Sequence, residues 1–322
     1  MPYLITTLFI LTLTAGLYYR WLYVPAPQKY LSQGNLSRET ISAGGLNRSY
    51  LLYTPDHLPS GQGPVVLVLH GSNINGEKIR TWTGYDFDRL ADQYGFQVIY
   101  PDAIAGYWND LRTGGTYRSK KENIDDVAFI KALADKSRSE HDNPVYAFGY
   151  SNGGVMLYRV IAECPGLFNA IAIVGANLPV AENRVIELFN AAPPLMLVSG
   201  TKDPIIPYNG GTVKLFGRNL GQVLNAEETA NYFATSQAAT KKEDGHWLAG
   251  ITISDHTRIQ EETWLNGDDV KVKLYSIENG GHVIPSAHSV FPGLMGRITK
   301  QFDAVEAAIA FFGLDKSNHF KS

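Results

Sequence analysis

The 322-residue chain holds a single cysteine, Cys164. An intrachain disulfide is therefore excluded, and so is any C-x-x-C metal or redox motif. In Ala162-Glu163-Cys164-Pro165 it reads as a packed thiol at a helix end. An excess of basic charge is also missing: 28 Lys and Arg stand against 31 Asp and Glu, a formal net charge of −3. The cations are scattered rather than bunched, so no basic tract exists to draw in nucleic acid. No internal repeat and no low-complexity tract interrupts the chain, which leaves an ordinary globular core as the expectation for a sequence that is 44% hydrophobic.

What is present begins with an apolar run over 3–19, broken by threonines and Gly16, followed by Arg20 and a proline-containing polar stretch over 24–37. The run reads as membrane-directed: a signal peptide or membrane anchor over 1–24, then a linker over 25–37. Its length falls between a signal-peptide core and a spanning helix, and Val24-Pro25-Ala26 followed by Pro27 makes a poor cleavage site. Both fates stay open, with membrane contact, if any, through residues 3–19. No amphipathic period marks the run as a buried first helix. The expected location is extracytoplasmic.

Beyond the linker, 38–43 and 48–53 read as two strands around the turn Gly44-Gly45-Leu46-Asn47. The segment 64–70 is a continuous apolar run rich in β-branched residues, which is how a strand buried on both faces reads. Similar runs recur at 96–100, 145–150, 170–174 and 194–199, and a more alternating one at 270–275. Helix-patterned segments fall between and after them, at 85–94, 123–137, 153–164, 225–239 and 299–312. This alternation predicts an α/β domain over 38–314, a doubly wound, mainly parallel sheet with helices on both faces and ligands at the strand carboxyl ends. Residues 315–322 read as a polar tail.

The chemistry sits at those strand ends. Gly149-Tyr150-Ser151-Asn152-Gly153 joins the strand at 145–150 to a helix, the setting of a G-x-S-x-G nucleophile elbow, which makes Ser151 the candidate nucleophile. A serine at neutral pH needs a base, a group that orients the base, and donors for the oxyanion. Asp203, in Gly200-Thr201-Lys202-Asp203-Pro204, follows the strand at 194–199. His282, in Gly280-Gly281-His282, follows the last strand. The order Ser, Asp, His is that of the α/β-hydrolase triad. His288 is the nearest rival base. Upstream, His70-Gly71-Ser72 closes the first buried strand, so the N–H groups of Ser72 and Asn152 are the expected oxyanion donors, with His70 bracing the loop.

These residues resemble the poly(3-hydroxybutyrate) depolymerase and feruloyl esterase group of α/β-hydrolases, with relatives among acetylxylan esterases of carbohydrate esterase family one. The resemblance runs through Leu67-His70-Gly71-Ser72, Tyr100-Pro101-Asp102, Trp108-Asn109, Asp126-Val127-Ala128-Phe129, the elbow, Cys164-Pro165 with Phe168, 200–207 and Gly281-His282. It implies the α/β-hydrolase fold, a Ser151–His282–Asp203 triad and a serine esterase that works through an acyl-enzyme without metal or organic cofactor. It also implies that Trp108 lies near the acyl or alcohol pocket, with a packed aromatic as the alternative, and that Tyr150 and Ile284 line the substrate site. Asp125 and Asp126 read as the start of a helix. Many relatives follow the histidine with G-H-x-W-P, where this chain has His282-Val283-Ile284-Pro285, so a flat aromatic wall is expected to be lost. The expected substrates are small soluble esters of hydroxyalkanoate, feruloyl or acetyl type. The alternatives are acyl transfer or peptide cleavage on the same fold, or an inactive anchored ligand-binding protein.

Overall fold

The computed structural model describes residues 2–58, 62–188, 192–215, 217–241, 245–248 and 256–316. Residues 317–322 of the expected polar tail lie outside the described residues, as do the side chains of 2–6, 8–11 and 139–141. The chain opens with α1 (Pro2–Trp21) and a hairpin of β1 (Gly34–Ala43) and β2 (Leu46–Pro55). Then follow β3 (Val65–Leu69), α2 (Gly76–Trp82), α3 (Asp86–Tyr94), β4 (Gln97–Pro101), α4 (Arg118–Lys121) and α5 (Asp126–His141). The elements β5 (Val145–Tyr150), α6 (Asn152–Glu163), β6 (Ile171–Val174) and β7 (Leu195–Gly200) come next. A small separate hairpin, β8 (Gly211–Leu215) with β9 (Arg218–Val223), precedes α7 (Ala226–Ser236). The last elements are β10 (Thr240–Lys241), β11 (His246–Leu248), β12 (Arg258–Asn266), β13 (Asp269–Glu278) and α8 (Ala304–Phe311).

One 11-stranded sheet runs β1-β2-β4-β3-β5-β6-β7-β13-β12-β10, with β11 also on β12. The six strands β4, β3, β5, β6, β7 and β13 are parallel to one another, and antiparallel pairs extend the sheet at both sides. Strand alternation explains why the central runs are apolar throughout. Val65, Leu67, Leu69, Ala147, Ile173 and Leu197 face one core with α5, α6 and α7, while Val66, Val68, Phe148, Val174 and Val198 face the other with α2, α3 and α8. A single polar substitution on either face would be buried, which fixes the register.

The helix starts follow local hydrogen-bond chemistry. Asp125 caps α5 by accepting from Ala128 N–H, and Asn225 with Glu228 forms a capping box on α7. The pattern at 299–312 predicts a longer last helix than is found, because Asp303 takes the N–H groups of Val305 and Glu306 and sets the start at Ala304. Cys164 is half-buried beyond the last turn of α6, where burial raises its thiol pKa. The apolar run near the N-terminus is helical in α1, yet among the described residues no helix is long and apolar enough to cross a membrane. Leu13, Leu17, Tyr18, Tyr19 and Trp21 of that helix are exposed.

Candidate active site

Ser151 sits between β5 and α6 at φ 53° and ψ −118°, a conformation that an L-residue adopts only when its surroundings enforce it. The enforcement is steric. A Cβ at Gly153 would lie 2.3 Å from the Leu69 carbonyl oxygen and one at Gly149 would lie 2.7 Å from Gly154 Cα. With both positions bare, the first turn of α6 can lie against the end of β3, and the serine is pushed out of the turn.

His282 Nε2 is 2.8 Å from Ser151 Oγ, and its Nδ1 is 2.7 Å from Asp203 Oδ2. The other Asp203 oxygen accepts the N–H groups of Ile205 and Ile206 at 2.7 and 2.8 Å, so the carboxylate cannot swing away from the ring. The imidazole is fixed from both sides of its backbone: His282 N–H donates to Met295 O, and its carbonyl accepts the Tyr150 hydroxyl at 2.7 Å. An Nδ1–H held by an ionised Asp203 leaves Nε2 with its lone pair toward the serine, the state a general base requires. The rival His288 is half exposed and pairs with Asp86 instead.

Opposite lies the loop after β3. Gly71 packs so closely on Tyr150 and Ser151 that a Cβ there would lie 2.8 Å from the tyrosine ring and 3.3 Å from Ser151 Cβ. This places Ser72 on the wall of the cleft that Ser151 also lines. The N–H of Asn152 is the first of α6 and has no partner within the helix. His70 is fully buried and braces the loop as expected. Its Nδ1 donates to Gly71 O at 2.7 Å and its Nε2 accepts Ala103 N–H at 3.0 Å. An acceptor at Nε2 needs a neutral ring, and burial depresses its pKa to about 4.

Ser151, His282, Ser72 and Tyr150 border a cavity of about 260 Å³. Two expected members are absent from its walls. Trp108 is fully buried, with its indole N–H donating to His70 O and its backbone N–H to Asn152 Oδ1, both at 2.8 Å. It is a packed aromatic behind the elbow and does not line the cavity. Ile284 is likewise fully buried, in the core with Val283, because the bond from His282 N–H to Met295 O carries the chain beneath that loop. The aromatic wall comes from Trp82 of α2, packed on Phe291 at 5.0 Å, and the rest of the apolar lining from Ile74, Ile205, Leu215 and Met295. No motif in the sequence marks these residues; they are scattered over loops, one short helix and the end of β8. Asp126 does more than begin a helix, since it binds Arg48 at 2.7 Å in a buried ion pair and accepts Asn109 N–H.

Residues 48–186 match the family described as Esterase PHB depolymerase. The chain is 25% identical to the esterase candidate NocK of Nocardia uniformis subsp. tsuyamanensis over 90% of its own length and 86% of that protein. The chain is a carboxylic ester hydrolase of the α/β-hydrolase fold. Among the relatives of this esterase are an acetylxylan esterase A of Aspergillus terreus, 29% identical over 41% of this chain and 44% of that one, and the poly(3-hydroxybutyrate) depolymerase of Ralstonia pickettii, 25% identical over 45% and 32%. The matches to these two thus span less than half of their length. A solved acetyl xylan esterase from Aspergillus awamori shares the fold at a TM-score of 0.57 and 16% identity, over 87% of this chain and all of that one.

Proposed function

We propose that the esterase works through Ser151, His282 and Asp203. His282 Nε2 takes the proton of Ser151 as its oxygen attacks the ester carbonyl. The N–H groups of Ser72 and Asn152 receive the oxyanion, and His282 returns the proton to the departing alkoxide. A water molecule, deprotonated by the same nitrogen, then releases the acid from Ser151. Asp203 fixes the tautomer and balances the charge of the imidazolium. This chemistry uses no metal and no organic cofactor. The observation that carries the reading is the unbroken line Ser151 Oγ, His282, Asp203 Oδ2 at 2.8 and 2.7 Å beside a cavity.

The substrate class we propose is small soluble esters with acetyl, hydroxyalkanoyl or feruloyl groups. An acetylxylan esterase, a feruloyl esterase and a poly(3-hydroxybutyrate) depolymerase among the relatives supply these three acyl types, and a modest, mostly apolar cavity supports small substrates over a polymer chain. Trp82 offers an aromatic face where Ile284 does not. The segment over 1–24 is read as directing the enzyme out of the cytoplasm. The test is hydrolysis of short-chain p-nitrophenyl esters by the purified protein: Ser151→Ala is expected to lose activity by roughly 10⁶-fold in kcat, and a variant that keeps full activity overturns the assignment. A panel of acetyl, hydroxybutyryl and feruloyl esters then ranks the substrates.

A further inference from the structure

Resting on that reading of the oxyanion donors, we propose that Trp108 is a positioning residue: a buried strut that sets the spacing between the donor at Ser72 and the donor at Asn152.

The two donors belong to different segments, the loop after β3 and the first turn of α6. Trp108 bonds to both. Its backbone N–H reaches Asn152 Oδ1, and its indole N–H reaches the carbonyl of His70, two residues before Ser72, each at 2.8 Å. Its ring also lies 4.9 Å from the His70 ring. One rigid side chain and its own amide therefore bridge the segments whose separation an oxyanion site must hold to within a few tenths of an ångström.

Each end of the strut is locked in one orientation. Asn152 Oδ1 accepts from the Trp108 amide while Nδ2 donates to Asp110 Oδ2 at 2.5 Å. A flipped amide would set NH₂ against N–H and oxygen against carboxylate. Asp110 is itself fully buried and bonded to Arg112 and Lys120, cations that hold its carboxyl below the usual range despite burial. At the other end the neutral His70 ring ties Gly71 O to Ala103 N–H. Trp108 has no exposed surface, so it can influence the reaction only through these partners.

Two variants test this. Trp108→Phe keeps an aromatic ring and deletes the indole donor. Asn152→Ala keeps the backbone N–H of residue 152 and deletes its link to Trp108. In each, kcat is expected to fall about 10–100-fold with KM within about threefold. Inhibition by a trifluoromethyl ketone, whose adduct carries the oxyanion, is expected to weaken by the factor lost in kcat/KM. The double variant is expected to be no worse than the worse single one, because both cut the same strut. A merely structural role would lower the melting temperature without moving ketone affinity. If Trp108→Phe does not fold, Asn152→Ala carries the test alone. Folded variants with ketone affinity within threefold of wild type overturn the strut. Retained turnover in Ser151→Ala would instead overturn the underlying mechanism.

Discussion

At the scale of single residues, the arrangement turns on which proton each nitrogen of His282 carries. Asp203 Oδ1 is committed to the Ile205 and Ile206 N–H groups. In Asp203→Asn the amide oxygen must take that place, which turns NH₂ toward His282 Nδ1. The ring then has to accept at Nδ1 and carry its proton on Nε2, facing Ser151 with no lone pair. Activity on p-nitrophenyl esters is expected to drop roughly 10⁴-fold near neutral pH, with the fold unchanged by circular dichroism; a loss below tenfold would exclude the tautomer argument. Ser151, Asp203 and His282 were legible because each follows a recognisable strand and the chemistry allows few residue types. Trp108 takes the packed alternative and Ile284 lies away from the cavity for a physical reason. Outside helices and strands no periodicity says which way a side chain points, and at Ile284 the direction is decided by a bond from His282 N–H to Met295 O, across a loop with no regular pattern.

Elements were easiest to read where burial is complete. The central strands β3, β5, β6 and β7 are apolar on both faces and stand out from the sequence without ambiguity. By contrast β12 has a mixed burial pattern and a register shift between Trp264 and Leu265, and it was not anticipated. The seven-residue α2, capped by Asn75, is too short to display a period. The start of α8 carries a testable charge effect. Asp303 caps it through Oδ1, while its Oδ2 contacts Ser286, whose hydroxyl also touches Asp86. Burial first, and then the Asp86 charge, raise the Asp303 pKa from 3.8 to about 6. The folded state thus binds this proton more tightly than the unfolded chain. The contribution is fully present below pH 3.8, fades as pH rises through about 6, and is absent at pH 7. Asn also caps helices well, so Asp303→Asn is expected to keep α8, to gain about 1–3 kcal/mol at pH 7, and to flatten the fall in melting temperature between pH 4 and 7. An unchanged pH profile would mean that this carboxyl is not the buried acid responsible.

The cavity exists only at the scale of the whole molecule. Its walls come from the loop after β3, from α2, the elbow after β5, the loop after β7, β8, and the two loops that carry His282 and Met295. No single stretch of sequence encodes its shape, which is why composition and motifs predicted a hydrolase site without predicting its acyl preference. Trp82 is the largest apolar wall, and its buried indole nitrogen has no hydrogen-bond partner among the described residues. An unpaired buried N–H is a cost, so the nitrogen adds nothing to stability and the ring's value lies in filling space. Trp82→Phe is accordingly expected to be close to neutral in stability, while Trp82→Ala costs near the lower end of about 3–5 kcal/mol. With about 260 Å³ available in the native cavity, kcat/KM across p-nitrophenyl esters is expected to peak at short acyl chains and decline toward octanoate. Removing the indole should move the peak to longer chains, because the acyl group then occupies the vacated volume. If the wild-type and Trp82→Ala profiles superimpose after normalisation, the acyl chain does not lie against this wall, and the leaving alcohol must occupy the cavity instead.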